Sequence, residues 1–267
     1  MPRGSPGLIE AILALGYVLG ATATAVHALL TKADPRSAVS WIGLSWLFPY
    51  GGSLLYWLFG INRVPKHRSD PPPACAGAWP RPAALSDAGP LAAQARLGSE
   101  LTHRPLASGN RVEPLYNGEL AFPRMLDAIA QAKESVWLAT YIFQTDPVGR
   151  GFVAALGSAV ARGVHVRVLV DGIGEWYDWP HVVPLLRRAR VATARFLPPR
   201  LIPPNLSLNC RNHRKILVVD GGEAFIGGMN LGGREVGGAT GRRMTDIHFR
   251  LHGPIVDQLA DTFAYAG

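Results

Sequence analysis

A chain of 267 residues with 48% hydrophobic side chains is long enough to bury a sizeable core and is not globally disordered. Lys and Arg number 27 against 19 Asp and Glu, a formal charge of +8. That balance favours anionic partners such as nucleic acid, phospholipid headgroups or phosphorylated substrates. The two cysteines, Cys75 and Cys210, exclude a disulfide framework and lack the paired spacing of a zinc site, which fits a reducing compartment.

The first predicted element is apolar. Ala11 to Leu30 holds His27 as its only side chain that titrates near neutral pH over twenty residues, the length that crosses the ~30 Å core of a bilayer. A cleaved signal peptide is the alternative for this segment, since Arg3 precedes it and small residues such as Ala21 and Ala23 lie within it. From Ser37 to Asn62 no side chain is charged, and Trp41, Trp46, Tyr50, Tyr56 and Trp57 supply interfacial aromatics, so a second span is expected. The short polar turn between them, with Pro35, makes residues 1–62 a two-helix transmembrane hairpin that returns the chain to its starting side. Arg3, Arg63, Lys66 and Arg68 outside the pair, against Lys32 and Arg36 in its loop, favour both ends on the cytoplasmic side of a plasma membrane.

Residues 63–110 are rich in Pro and Ala and poor in periodic apolar residues, the pattern of a linker. From Arg111 to Gly267 strand and helix signals alternate. A strand over "VEPLY" is followed by a helix near Ala121 to Ala132, a strand over "SVWLATYIF", a helix ending near "ARG" and a strand over "VHVRVLVDG". A helix around His181 to Arg190 and strands over "KILVVD" and "DIHFRL" complete an α/β lobe with a central sheet flanked by helices.

The chemistry concentrates in "NHRKILVVDGGEAFIGGMN", residues 212–230. Alternation along an extended strand puts His213 and Lys215 on one side and Arg214 on the other. A neutral imidazole can attack phosphorus or carry a proton, and an ammonium beside it can hold a phosphate oxygen. Asp220 ends the apolar run beside Gly221 and Gly222, where a turn and a structural role are expected. Gly227 and Gly228 remove side chains where a ligand or another backbone approaches, and Asn230 can donate its amide to a phosphoryl oxygen.

The spacing His213-x-Lys215-x-x-x-x-Asp220 followed by "GGMN" resembles the HKD motif of the phospholipase D superfamily. The flanks "NGELAFPRMLDAIAQAKESVWLATYIF", "RGVHVRVLVDGIG" and "DIHFRLHGPIVDQLADTF", with the N-terminal apolar pair, are similar to the amino-terminal half of bacterial cardiolipin synthases. The resemblance implies phosphatidyl transfer without metal or cofactor. One phosphatidylglycerol forms a phosphohistidine and releases glycerol, and the hydroxyl of a second resolves it to cardiolipin. It also implies His213 as nucleophile or its acid/base counterpart, Lys215 and Asn230 as phosphoryl-oxygen ligands and Asp220 as the third motif member. Asp246 is implied as the carboxylate that orients the histidine, although "MTD" stands where the family commonly has Trp-Arg-Asp. Gly227, Gly228 and Arg211 are expected to line the substrate.

Superfamily chemistry uses two histidines from two motifs, whereas residues 111–267 supply one and end within a helix pattern without a second lobe. A second copy of the chain or a second-lobe partner is therefore expected. His67, His103 and His181 read as solvated, and His165 to Asp171 as a core strand. His248 and Arg250 share a face with Asp246, either lining the site or lying on ordinary surface. Arg187, Arg188, Arg190, Arg195, Arg200 and Arg211 either face anionic headgroups or form a solvated charged face. Zinc on Cys210, His213, His248 and His252 has irregular spacing against it. Two expected spans argue for lipid over nucleic acid; hydrolysis of phosphodiesters by the same route and an inactive lipid-binding remnant are the competing readings.

Overall fold

In this computed structural model the described residues are 7–32, 34–61, 89–102, 104, 106–201, 204–205, 211–236 and 244–264. Cys75, Cys210, His67 and His103 lie outside them, as does the stretch 63–88 of the expected linker. The chain divides into two compact units, residues 1–65 with 199–208, and residues 66–198 with 209–267.

In the first unit α1, Leu8–Thr31, is the one described helix long and apolar enough to cross a membrane. The expected second span is not one helix. Asp34 caps α2, Pro35–Leu47, by accepting the Arg36 and Ser37 N–H groups. The chain then turns at Phe48–Tyr50 and returns as α3, Gly51–Leu55, and a π-helical turn, Tyr56–Gly60. Thirteen residues of α2 give a rise of about 20 Å, short of a bilayer core. Two residues force the reversal: Tyr50 takes φ +60°, and a Cβ on Gly52 would collide with the Leu44 carbonyl, so α3 folds back tightly on α2.

The return runs along α1 in the same sense as α1 itself. Tyr50 donates its hydroxyl to the Leu13 carbonyl, His27 Nδ1 lies 2.7 Å from the Tyr56 hydroxyl, and Lys32 Nζ donates to the Gly60 carbonyl. The described stretch therefore ends, at Ile61, beside the Lys32 end of α1, and with α1 the one candidate span among the described helices the expected two-span hairpin is not borne out.

The second unit opens with α4, Ala92–Thr102, a helix inside the stretch expected to be linker. Just after it Arg104 donates to the Gln258 carbonyl and to Thr262 Oγ1, which ties this stretch to the last helix of the lobe. Then follow β1, Arg111–Tyr116; α5, Asn117–Gln131; β2, Ser135–Thr140; α6, Pro147–Ala161; β3, His165–Asp171; α7, Val182–Arg188; and β4, Ala192–Phe196. A short ladder that pairs β5, Arg200–Leu201, with β6, Pro204–Asn205, belongs to the first unit. The lobe closes with β7, Ile216–Val219; β8, Glu223–Gly227; β9, Ile247–His252; and α8, Ile255–Ala264.

Seven strands form one sheet in the order β1-β9-β8-β7-β2-β3-β4. β2, β3 and β4 are parallel, joined by α6 and α7, and every other pairing is antiparallel. Period-2 alternation divides the core between the two faces. Val136, Leu138, Val168 and Leu217 pack under α5, α6 and α7, with Phe122 edge-on to Phe152 at 5.4 Å. Ile216, Val218, Ala139 and Leu169 pack on the opposite face against Val256, Leu259 and Phe263 of α8. The result is a three-layer α/β/α lobe, the expected central sheet flanked by helices.

Candidate active site at the His213 end of the central strand

β7 is the hinge of the site because it lies mid-sheet, between β8 and β2, with all four residues buried. His213 and Lys215 sit on its entry. The His213 ring is exposed and stacks on Tyr141 at 4.1 Å with 19° between planes. Lys215 is half-buried; its Nζ donates to the His213 carbonyl at 2.9 Å and lies 5.4 Å above the Tyr141 ring. Arg214 turns the other way and donates to the Thr262 carbonyl on α8. Burial lowers the Lys215 pKa, opposed by the negative charges of Asp246 and Glu235.

The approach to β7 is held from β3. Asp171 is fully buried; its Oδ2 accepts the Asn212 N–H at 3.0 Å and its Oδ1 accepts the N–H groups of Ile173 and Gly174. Arg211, expected to bind substrate, is instead turned inward. Its guanidinium lies 3.5 Å from Asp171 and donates to the Leu197 carbonyl at 2.8 Å. Its role in the structure is to balance a buried carboxylate.

Beneath the exposed ring lies a second layer of charge. Asn230 accepts the Ile142 N–H on its Oδ1 at 3.1 Å and gives its own N–H to Glu235 Oε1 at 3.2 Å. Glu235 is 5% exposed, and its Oε2 has no hydrogen-bond partner among the described residues. Burial raises its pKa, Asp246 pushes it the same way, and the Asn230 bonds and Lys215 oppose. Asp246 is clasped by Asn117, whose N–H donates to the Asp246 carbonyl at 2.9 Å and whose Oδ1 accepts the Asp246 N–H at 3.1 Å. Its carboxylate accepts the Ile247 N–H at 2.6 Å; among the described residues it makes no hydrogen bond to the His213 ring.

His248 is 2% exposed, and burial pulls its pKa down to about 4 against the attraction of Asp246, with Lys215 lowering it further. Its Nδ1 has no hydrogen-bond partner among the described residues. The two glycines explain how this layer fits. A Cβ on Gly227 would strike the Ile247 carbonyl and the His248 ring, and one on Gly228 would strike the Asp246 carboxylate. Gly227 and Gly228 thus admit strand β9 and its carboxylate, the backbone approach that the sequence offered as one of two reasons for them.

Asp220 is not brought to this site. It stands at the far end of β7, about 20 Å along the strand from His213, at φ +49° beside Gly221 at φ +61°. Its carboxylate accepts the N–H groups of Lys133, Glu134 and Ser135, each at 2.8 Å. Burial alone would raise its pKa, but those bonds outweigh it and the value falls below the ordinary range.

The other sequence-named side chains disperse. Arg250 pairs with Glu223 and Glu113 across the strands, and His252 lies by Gly222 and Glu223. His181, read as solvated, is half-buried with Nδ1 at 3.2 Å from the Glu175 carbonyl. Arg195 pairs with Glu175, while Arg187, Arg188 and Arg190 are exposed; the side chain of Arg200 lies outside the described residues. Among the described residues no group of His, Cys, Asp or Glu converges as a metal site.

Sequence reasoning missed Tyr141, Asp171, Glu235 and Asn117. Asp171 had a readable signal, an aspartate ending an apolar strand before glycine, as Asp220 does. Glu235 sits in a glycine-rich stretch with no periodicity to mark it.

Comparison with known proteins places this arrangement. A family model described as "Phospholipase_D-nuclease N-terminal" matches residues 19–60, and one described as "Cardiolipin synthase, PLD-like domain" matches residues 125–265. A cardiolipin synthase of Geobacillus thermodenitrificans is 33% identical over 218 residues, covering 78% of this chain and 43% of that protein. Cardiolipin synthase A of Pseudomonas putida is 31% identical over 281 residues, covering 99% of this chain and 57% of that protein. The chain thus spans about half the length of the curated relatives it matches. Among solved structures, Nuc, a phospholipase D family member from Salmonella typhimurium, aligns with a TM-score of 0.45 at 18% identity over 59% of this chain and 93% of that one. The PLD-like domain covers more than half of the residues and contains His213, Lys215, Asn230 and Asp246, so the chain belongs to the phospholipase D superfamily, in its cardiolipin synthase-like branch.

Proposed function

We propose that the chain is a membrane-anchored phosphatidyltransferase of the cardiolipin synthase type, converting two phosphatidylglycerols to cardiolipin and glycerol. The observation that carries this reading is the exposed His213 ring stacked on Tyr141, with the half-buried Lys215 ammonium at its base. An accessible imidazole beside a desolvated cation is what attack on an anionic phosphodiester requires.

In the first step a ring nitrogen of His213 attacks phosphorus, the bond from phosphorus to the glycerol oxygen breaks, and the leaving alkoxide takes a proton from a second histidine. In the second step the hydroxyl of another phosphatidylglycerol gives its proton back to that histidine and attacks the phosphohistidine, which frees His213. Lys215 and Asn230 hold the non-bridging oxygens. Asp246 keeps the Lys215 ammonium charged against its burial, as the direction of their coupling indicates. Since these 267 residues hold one such motif, the second histidine comes from another lobe, in a second copy of the chain or in a separate stretch of polypeptide.

Membrane placement follows from the first unit. With α1 as the candidate span, Lys32 and Arg36 lie at its C-terminal end, where Lys32 also meets the Gly60 carbonyl. The positive-inside rule puts that side, and with it the lobe, in the cytoplasm at the plasma membrane.

The test is the chain in phosphatidylglycerol liposomes without added metal, alone and with an independently expressed second-lobe polypeptide. Cardiolipin and glycerol are measured for wild type and His213→Ala. Turnover falling by at least ~1000-fold in the variant supports the reading. Equal residual turnover in both would remove His213 from the chemistry, and no turnover in either mixture would leave a lipid-binding lobe in place of an enzyme.

A further inference from the structure

The loop 172–181 between β3 and α7 is built inside out. Its polar groups face inward. Asp171 accepts the N–H groups of Ile173 and Gly174, and Glu175, 2% exposed, pairs with Arg195. Asp178 Oδ2 accepts the Thr145 N–H at 2.6 Å, and Thr145 Oγ1 donates to the Pro180 carbonyl at 2.8 Å. Its large apolar groups face outward: Trp176 is 67% exposed, Tyr177 56% and Trp179 80%. A loop so firmly pinned does not display these rings through mobility; ordinary surface loops hide indoles and show carboxylates.

Indole and phenol rings, apolar in body with one polar edge, are most stable in the headgroup layer of a bilayer. The charges beside the loop agree with that partner. Pro180 shares a surface hollow with Arg150, Arg188 and Arg190, whose side chains are exposed. Aromatic rings flanked by guanidinium groups are the mixture that anionic lipid attracts. The loop also continues into the candidate site, since Tyr177 lies 6.0 Å from Tyr141, the ring on which His213 stacks.

We propose that Trp176, Tyr177 and Trp179 form an interfacial docking loop that inserts into the headgroup layer of an anionic bilayer and holds the His213 surface at the lipid–water boundary. The direction toward lipid rests on the phosphatidyltransferase reading; the insertion itself does not require turnover.

The test uses the full chain in phosphatidylcholine proteoliposomes with and without phosphatidylglycerol, prepared with ordinary or acyl-brominated lipid. Tryptophan emission is compared between wild type and the Trp176→Phe/Trp179→Phe variant, so that the difference isolates these two indoles from the other five. Brominated lipid is expected to quench the difference emission by roughly twofold, because indoles seated at headgroup level lie close to the acyl chains. Replacing Arg150, Arg188 and Arg190 by Gln reduces quenching in phosphatidylglycerol vesicles to the phosphatidylcholine level. Difference emission indifferent to bromine overturns the proposal. So does emission that responds to protein density at fixed lipid, with cross-links between copies, which would make the loop a protein interface. The same measurement in His213→Ala separates the two readings: quenching persists there if the loop docks, whether or not the chain is an enzyme. Unchanged unfolding temperatures confirm that the exposed substitutions leave the fold intact.

Discussion

The two ends of β7 treat charge in opposite ways. At the far end the Asp220 carboxylate collects three backbone N–H groups and its pKa falls. At the near end Lys215 is desolvated, Glu235 has a carboxylate oxygen without a described partner, and His248 is buried with an unpartnered Nδ1. One end is satisfied by the fold itself and the other leaves polar atoms unsatisfied, as a site prepared for a ligand does. A strand four residues long thereby separates the end that the fold satisfies from the end proposed for chemistry, although the sequence writes both into one motif.

That contrast breaks most visibly at Asp220. Asp220→Ala removes the acceptor for three N–H groups and forces alanine into φ +49°. The loss should be about 3 kcal/mol, a fall of roughly 10 °C in the lobe's melting temperature. Asp220→Asn keeps the side-chain shape and tolerates the left-handed backbone, so about a third of that loss is expected. Activity per folded molecule should change little in either variant. A large loss of activity at preserved stability would return Asp220 to the chemistry and abolish the distinction between the ends.

His248 sharpens the comparison from the other end. Its folded pKa of about 4 lies below the ordinary 6.5, so the unfolded chain binds the proton first. The stability contributed by the neutral ring is complete above pH 6.5 and is lost as pH falls toward 4. Between pH 7.5 and 5 that amounts to about 2 kcal/mol. Denaturant unfolding of wild type across this window should show that slope, and His248→Gln should flatten it. An unchanged slope would mean that the ring is already charged and paired in the folded protein.

How much of this was legible beforehand follows from the kind of signal each feature leaves. The order of strands and helices in the lobe was readable because buried strands such as His165–Asp171 and Ile216–Val219 are apolar runs with aspartate or glycine at their ends. His213 and Lys215 were readable because their spacing is local. The second span failed because composition registers apolarity but not reversal: Ser37 to Asn62 is apolar throughout, yet Tyr50 and Gly52 turn it back on itself. The linker failed in part because Ala92–Thr102 has no strong apolar stripe, and the tie at Arg104 to α8 joins residues remote in sequence. The inner layer was illegible for the same reason. Glu235, Asn117 and Asp246 meet through tertiary contacts that no periodicity encodes, and the motif alone does not say which backbone Gly227 and Gly228 admit.

The smallest effect is the most diagnostic of the unsatisfied end. Glu235 accepts the Asn230 N–H with one oxygen and leaves the other buried without a described partner, and burial raises its pKa. A raised carboxyl pKa means that the neutral form fits the fold best. Stability from that form is complete below the unfolded value near 4.5 and is lost as pH rises through the folded value. Glu235→Gln keeps the acceptor for Asn230 and removes the charge. It should therefore leave stability unchanged at pH 4 and raise it by about 1 kcal/mol at pH 8, roughly 3 °C in melting temperature. A lower melting temperature at pH 8 would show that the ionised carboxylate is held by Lys215, and the near end of β7 would then be as self-satisfied as the far one.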